Sequence, residues 1–242
     1  MALYAISDLH LPLGVDKPMD IFGKKWENYV ERLYENWQEI VKADDVVVLP
    51  GDFSWAMYLK DSEADFSFLN RLNGTKILLK GNHDYWWETK SKLNRFIAEH
   101  QYENIHFLQN NFFCYGKVAL CGTRGWANPN TQGIGSEDEK IYQRELLRLE
   151  MSMQEAKKAG AEEMIVFLHF PPVVSGDTDN PMVRLMQSYG VRQCVFGHIH
   201  AAGIAHALTG EISGIRFRLV SGDSVNFTPV LLSNTDEILT IY

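Results

Sequence analysis

The 242 residues carry 45% hydrophobic and 22% charged side chains, the ordinary balance of a chain that buries a sizeable core without covalent staples. A formal net charge of −8 argues against a broad basic footprint, so an extended nucleic-acid partner is not expected. A small anionic substrate stays open, because divalent cations reverse the local field at a carboxylate-rich site.

No window approaches 18 uninterrupted apolar residues, and residues 1–6 enter a strand-like run without a basic leader, so no membrane span and a cytoplasmic location are expected. The three cysteines, Cys114, Cys121 and Cys194, are odd in number and read as reduced packing residues. No linker, repeat or low-complexity tract divides residues 1–242, which read as one domain of undetermined oligomeric state.

In chain order, short apolar runs at 3–6, 46–49, 76–79, 118–121, 164–168 and 194–196 have the continuous hydrophobicity of strands buried on both faces. Between the first two, Trp26, Val30, Leu33, Trp37, Ile40 and Val41 recur at helical spacing. Residues 65–72 do so more weakly. The best-marked helix runs from Ser136, where Ser136 and Glu139 fit a capping box, to a stop near Gly160. After His200 come short strands with turn signals at 209–211 and 213–214. The alternation predicts an α/β layered fold whose sheet faces are covered by helices, with ligands gathering beyond the carboxyl ends of the strands.

The polar motifs fall at those ends. Asp8-Leu9-His10 follows the first run, Gly51-Asp52 the second and Gly81-Asn82-His83-Asp84 the third; His169 and Gly197-His198-Ile199-His200 follow the last two. A bimetallic hydrolase needs two cations about 3.5–4 Å apart that share a bridging ligand, hold a hydroxide and clamp phosphoryl oxygens. Asp52 is the bridging candidate; Asp8, His10 and His200 would complete one metal, and Asn82, His169 and His198 the other. In an extended segment residues two apart face the same way, so Asp8/His10 and His198/His200 could each address one site. Glycines 51, 81 and 197 let the chain turn before a ligand. His83 would protonate the leaving-group oxygen, with Asp84 accepting from its other ring nitrogen. Mixed oxygen and nitrogen ligation without thiolate suits Mn, Fe, Zn, Ni or Co, and leaves the identity of the two metal ions open.

The series Asp-x-His, Gly-Asp, Gly-Asn-His-Asp, lone His, Gly-His-x-His resembles the calcineurin-like metallophosphoesterase superfamily, with all five blocks present in order from 8 to 200. The resemblance implies a four-layer αββα sandwich of two mixed sheets with a dimetal site at strand ends. It implies Asp8, His10, Asp52 and His200 for one metal, Asp52, Asn82, His169 and His198 for the other, and His83 as acid with Asp84 behind it. The surroundings of 51–57, 83–87 and 122–126 further resemble a bacterial branch of predicted phosphohydrolases.

Simpler readings compete at each place. Asp-x-His alone is a weak signal, Gly-Asn-His-Asp alone could be a turn, and His169 could be a core residue before Pro171-Pro172. His100, His106 and His206 lie outside every motif. Trp55, Trp86, Trp87 and Trp126 suit a core, although Tyr85, Trp86 and Trp87 directly follow the acid and one of them could wall the pocket. Arg124, just past a strand, either grips substrate phosphate or pairs with a helix.

The expected activity is hydrolysis of a small phosphate mono- or diester. Two alternatives are a non-catalytic metal-bound scaffold of the same fold, against which His83 speaks, and a small-oligonucleotide or cyclic-nucleotide phosphodiesterase. Pocket walls built from 53–64, 123–136 and 171–181 would decide the substrate.

Overall fold

The computed structural model describes residues 1–128, 135–234 and 239–241, so the 129–134 part of the expected wall at 123–136 lies outside the described residues. Its elements are β1 (Ala2–Ala5), α1 (Tyr29–Ile40), β2 (Val46–Pro50), α2 (Glu63–Arg71), β3 (Thr75–Leu79), α3 (Lys90–Glu99), β4 (Ile105–Phe107), β5 (Phe112–Tyr115) and β6 (Val118–Thr123). There follow α4 (Ser136–Lys158), β7 (Glu163–Leu168), α5 (Pro181–Ser188), β8 (Gln193–Phe196), β9 (Gly210–Ile212), β10 (Ile215–Leu219), β11 (Val230–Asn234) and β12 (Leu239–Ile241). They form two mixed sheets, ordered β11-β1-β2-β3-β4 and β12-β5-β6-β7-β8-β10-β9.

Alternation within the apolar runs builds three cores. Leu3, Ala5, Val46, Val48, Ile77, Leu79, Leu120, Ile165, Phe167 and Val195 face one another between the sheets. Their neighbours Val47, Leu49 and Leu78 turn outward under α1, α2 and α3, against Leu33, Trp37, Phe66, Leu69, Leu93 and Phe96. On the second sheet Ala119, Cys121, Val166, Leu168, Cys194 and Phe196 turn outward under α4 and α5, against Leu149, Met153, Met182 and Met186. The central strands β1, β2, β3, β6, β7 and β8 thus bury both faces, which is why their runs are predominantly apolar. A fully buried Val, Leu or Phe contributes about 1.5–3 kcal/mol, so these layers dominate stability. The result is the expected four-layer αββα sandwich. Cys121 and Cys194 lie within the second outer core, and none of the three cysteines is in a disulfide. No helix among the described residues is long and apolar enough to cross a membrane.

Element ends depart from the sequence reading where local conformation intervenes. α1 starts at Tyr29 because Asn28 adopts the left-handed region (φ 49°), leaving Trp26 in a separate 3₁₀ turn. α4 is capped one residue earlier than expected. Gly135, not Ser136, is its N-cap, and the Asp138 carboxylate, not that of Glu139, accepts the Gly135 N–H at 3.2 Å. Of the two turn signals after His200, Ser213-Gly214 is a hairpin turn with both φ positive, and Gly210 instead begins a strand. The sequence reading held no helix at α3 or α5. Both have polar N-caps, Thr89 and Asn180, whose side chains accept the Lys92 and Val183 N–H groups.

Two backbone links bring the sheets' motif-bearing ends together. The Asp8 and His10 N–H groups donate to Gly51 O and Asp52 O, aligning the loops after β1 and β2. Across the sandwich, Ser7 N–H donates to Val220 O and Gly222 N–H to Ser7 O, tying the end of β1 to the end of β10.

Candidate metal centre

All seven predicted ligands converge where these ends meet. Asn82 Oδ1 lies 2.6 Å from His169 Nε2 and 2.9 Å from His198 Nδ1, and the two imidazole nitrogens are 3.2 Å apart. Next to them, His200 Nε2 is 3.0 Å from Asp8 Oδ1. Asp52 Oδ2 lies between the groups, 3.4 Å from His169 Nε2 and 3.7 Å from His10 Nε2. Donor atoms of Asp8, His10 and His200, and again of Asp8, Asp52 and His169, lie within 4.8 Å of one another. Asp8 therefore borders both groups, a position the sequence reading gave to Asp52 alone.

The convergence is not achieved by strand alternation. Asp8 (φ 57°), His10 (φ 45°), Asp52 (φ 53°) and His198 (φ 70°) are all left-handed, so the chain coils at these four residues instead of continuing extended. Short polar side chains tolerate this region best, and such strain is held only where surrounding contacts fix it. The Gly before a ligand likewise acts in two ways. Gly51 is itself left-handed (φ 90°). Gly81 and Gly197 are needed for closeness, because a Cβ would strike the Asp52 carboxylate at Gly81 and the Asp8 carboxylate at Gly197.

Asp84 has a different role from the one expected. Its buried carboxylate accepts N–H groups of Gly81 (2.7 Å), Asp52 (2.9 Å), Phe53 (2.9 Å) and Ser54 (3.4 Å), together with Trp86 Nε1 (2.9 Å). Both oxygens are occupied. Asp84 ties the Asp52 and Asn82 loops together and makes no hydrogen bond to the His83 ring it was expected to support. Burial raises its pKa, and the four backbone donors oppose that.

His83 is half-buried, its backbone N–H on Asp52 Oδ1 at 2.8 Å. Its ring packs 4.8 Å from Trp55 and 5.6 Å from His10, with exposed Tyr85 at 6.3 Å. Trp55 also stacks on His10 at 4.6 Å. The aromatic wall is therefore Trp55, with Tyr85 at the rim, while Trp86 and Trp87 enter the core. Burial, reinforced by the Lys17 ammonium, lowers the His83 pKa below its ordinary value.

Sequence reasoning missed Asp223. Its buried carboxylate accepts from His200 Nδ1 at 2.8 Å and from the Ala201 N–H at 2.9 Å. Like the ligands, it follows an apolar strand by a few residues, a signal present in the sequence. Burial disfavours charge on His200, but Asp223 and Asp8 overcome it and push its pKa up to about 10. Because a ligand imidazole is oriented through its second nitrogen, Asp223→Asn is expected to weaken metal affinity by about 10–100-fold in a direct metal titration.

Arg124 pairs with a helix. Its Nη2 lies 3.7 Å from the buried Glu145 of α4, and its guanidinium covers Trp126 at 4.4 Å. Its carbonyl accepts the N–H groups of His169 and Phe170, both at 3.0 Å.

Burial and mutual proximity shift the ionisation of the acids and imidazoles. Burial, then Asp8 and Asp84, pushes the Asp52 pKa well above the carboxylate range. Burial lowers His10 and His169 to about 3. His10 Nδ1 is buried with no hydrogen-bond partner among the described residues. Neutral imidazoles and carboxylate oxygens gathered in this way are donors that a divalent cation could use.

The calcineurin-like phosphoesterase family model matches residues 1–202. The chain belongs to that family of phosphoester hydrolases. No curated protein sequence matches it. Among solved structures it is similar in fold to TT1561 of Thermus thermophilus, with 15% identity over 92% of this chain and 89% of that one and a TM-score of 0.57. It is also similar to the phosphopantetheinyl hydrolase of Mycobacterium tuberculosis (13%, 97% and 96%, TM-score 0.54) and to AQ665 of Aquifex aeolicus, a protein of unknown function (14%, 95% and 95%, TM-score 0.51).

Proposed function

We propose that the chain hydrolyses a small phosphate mono- or diester with two cations held by Asp8, His10, Asp52 and His200 on one side and Asp52, Asn82, His169 and His198 on the other. The observation that carries this reading is Asp52 Oδ2, 3.7 Å from one imidazole group and 3.4 Å from the other, with the Asp8 carboxylate beside it. The donor set fits: it is oxygen and nitrogen only, it is buried or partly buried, and it leaves His10 Nδ1 without a partner among the described residues. Cations bound there would supply Lewis-acid charge for the phosphoryl oxygens and lower the pKa of a water.

The protein's own groups do the rest. Asp84 and Asp223 fix the ligand loops, Trp55 packs against His10 and His83 and excludes water, and His83 donates a proton to the leaving oxygen. The mixed ligand set admits Mn, Fe, Zn, Ni or Co; manganese is the ion for the first assay. A chromogenic monoester and a matched diester, assayed with Mn²⁺ restored after chelation, are expected to give turnover on at least one. Turnover on neither, with two metals bound per chain, would sink the catalytic reading.

A further inference from the structure

Next to the loops that carry Asn82 and His169 lies a small recess rich in charged side chains. The ends of β3 and β6 touch across the sandwich, so that a Cβ at Gly122 would meet Leu79 Cδ2 at 2.7 Å. There a recess of about 30 Å³ is lined by Lys80, Gln109, Asn110, Arg124, Glu145 and Arg148 among others. Lys80 directly precedes Gly81-Asn82, and Arg124 holds the His169 backbone, so each flanks a metal ligand.

The charges in the recess do not balance. Glu145 is fully buried and already satisfied, accepting from Thr123 Oγ1 at 2.5 Å and from Arg148 Nη1 at 2.7 Å. Arg124 reaches it only at 3.7 Å, and Lys80 makes no hydrogen bond or ion pair among the described residues. Three cations thus face one carboxylate in a chain of net charge −8. Three buried polar atoms of the lining, Trp87 Nε1, Arg124 Nε and Gln109 Oε1, also lack a partner among the described residues. A buried guanidinium nitrogen left unmatched costs free energy, and an oxyanion is the ligand that would satisfy it together with Lys80. The carboxamide of Gln109 can turn its nitrogen toward the same ligand. About 30 Å³ admits the oxygens of one oxyanion, and no base or sugar.

We propose that this recess binds an oxyanion of the phosphate class. Resting on the reading above, the ligand is the second phosphate of a substrate whose first phosphate meets the metals, or a free phosphate.

The test titrates inorganic phosphate by calorimetry into the full-length chain after chelation, with Lys80→Gln and Arg148→Gln as variants. Lys80 has no partner to lose, so its variant is expected to keep the fold. Phosphate is expected to bind and its affinity to weaken at least about tenfold in both variants. No binding, or binding that neither substitution changes, overturns the proposal. On the metal-loaded enzyme, kcat/KM for a bisphosphate is then compared with that for the matched monophosphate. A ratio above about 10 that falls toward one in Lys80→Gln makes the ligand a substrate's second phosphate. A ratio near one, with phosphate still bound calorimetrically, makes it a free anion. Absence of all hydrolysis would remove the dimetal reading and leave the calorimetry to decide the recess by itself.

Discussion

Asp52→Asn is expected to lose both cations together and to reduce turnover by about 10²–10³-fold or more, the scale lost when a principal electrostatic element of a site is removed. The exchange is nearly isosteric. The Asn oxygen still accepts the His83 N–H now held at 2.8 Å, so the loop keeps its path. What disappears is the Oδ2 between the His10 and His169 nitrogens, which would carry negative charge once cations are bound. The stability consequence has a sign that distinguishes a ligand from a structural residue. Burial and Asp8 hold the Asp52 pKa above its unfolded value. The metal-free fold therefore keeps the full benefit of a protonated Asp52 below about pH 4 and loses it as pH rises toward the raised folded pKa. Chelated wild type should accordingly melt no higher than chelated Asp52→Asn at pH 8. With cations restored the order should reverse, because saturation at a hundred times Kd adds about 2.7 kcal/mol per site to the wild type alone. Calorimetric melting in both states, with metal stoichiometry by elemental analysis, checks both halves. Retention of two metals by Asp52→Asn would contradict the bridging assignment.

The layers were legible in the sequence because their physical cause is simple. Strands such as 46–49 and 164–168 bury both faces, and nothing but an uninterrupted apolar run can do that. The residues that converge were legible as a set for a related reason: each candidate ligand follows such a run. Its local geometry was not. Left-handed φ at Asp8, His10, Asp52 and His198 is imposed by contacts from distant parts of the chain, such as the Asp8 carboxylate accepting the His198 N–H. A single short motif does not encode that. Asp84 was misread for the same reason. Its nearest neighbour in sequence is His83, but its oxygens are claimed by N–H groups about 30 residues away. Asp223 was overlooked although it obeys the rule that found the ligands, because one carboxylate after one strand is common and only its contact with His200 distinguishes it.

His83→Asn is expected to keep both metals and to lower kcat by about 10²–10⁴ on an alkyl phosphate, with a much smaller loss on a nitrophenyl ester. The contrast follows from what the residue supplies. An alkoxide leaving group needs a proton, a nitrophenolate does not, and a side chain that merely shaped the pocket would affect both alike. The surroundings of the ring make the claim more demanding than the motif suggested. Asp84 does not hold its second nitrogen, and burial and Lys17 pull its pKa below the ordinary imidazole value. In the free enzyme the proton is thus lost at a pH below about 6.5, and with it the acid-catalysed route. The kcat/KM of the alkyl substrate should therefore decline across the neutral range in wild type and stay flat in His83→Asn, while the nitrophenyl substrate shows little of this limb in either protein. Lys17 lies 3.3 Å from the Trp55 ring centre, against the same indole that packs on His83, so its cation is positioned to press on this equilibrium. Equal losses on both esters, or a variant that releases its metals, would make His83 part of the metal scaffold and not the leaving-group acid.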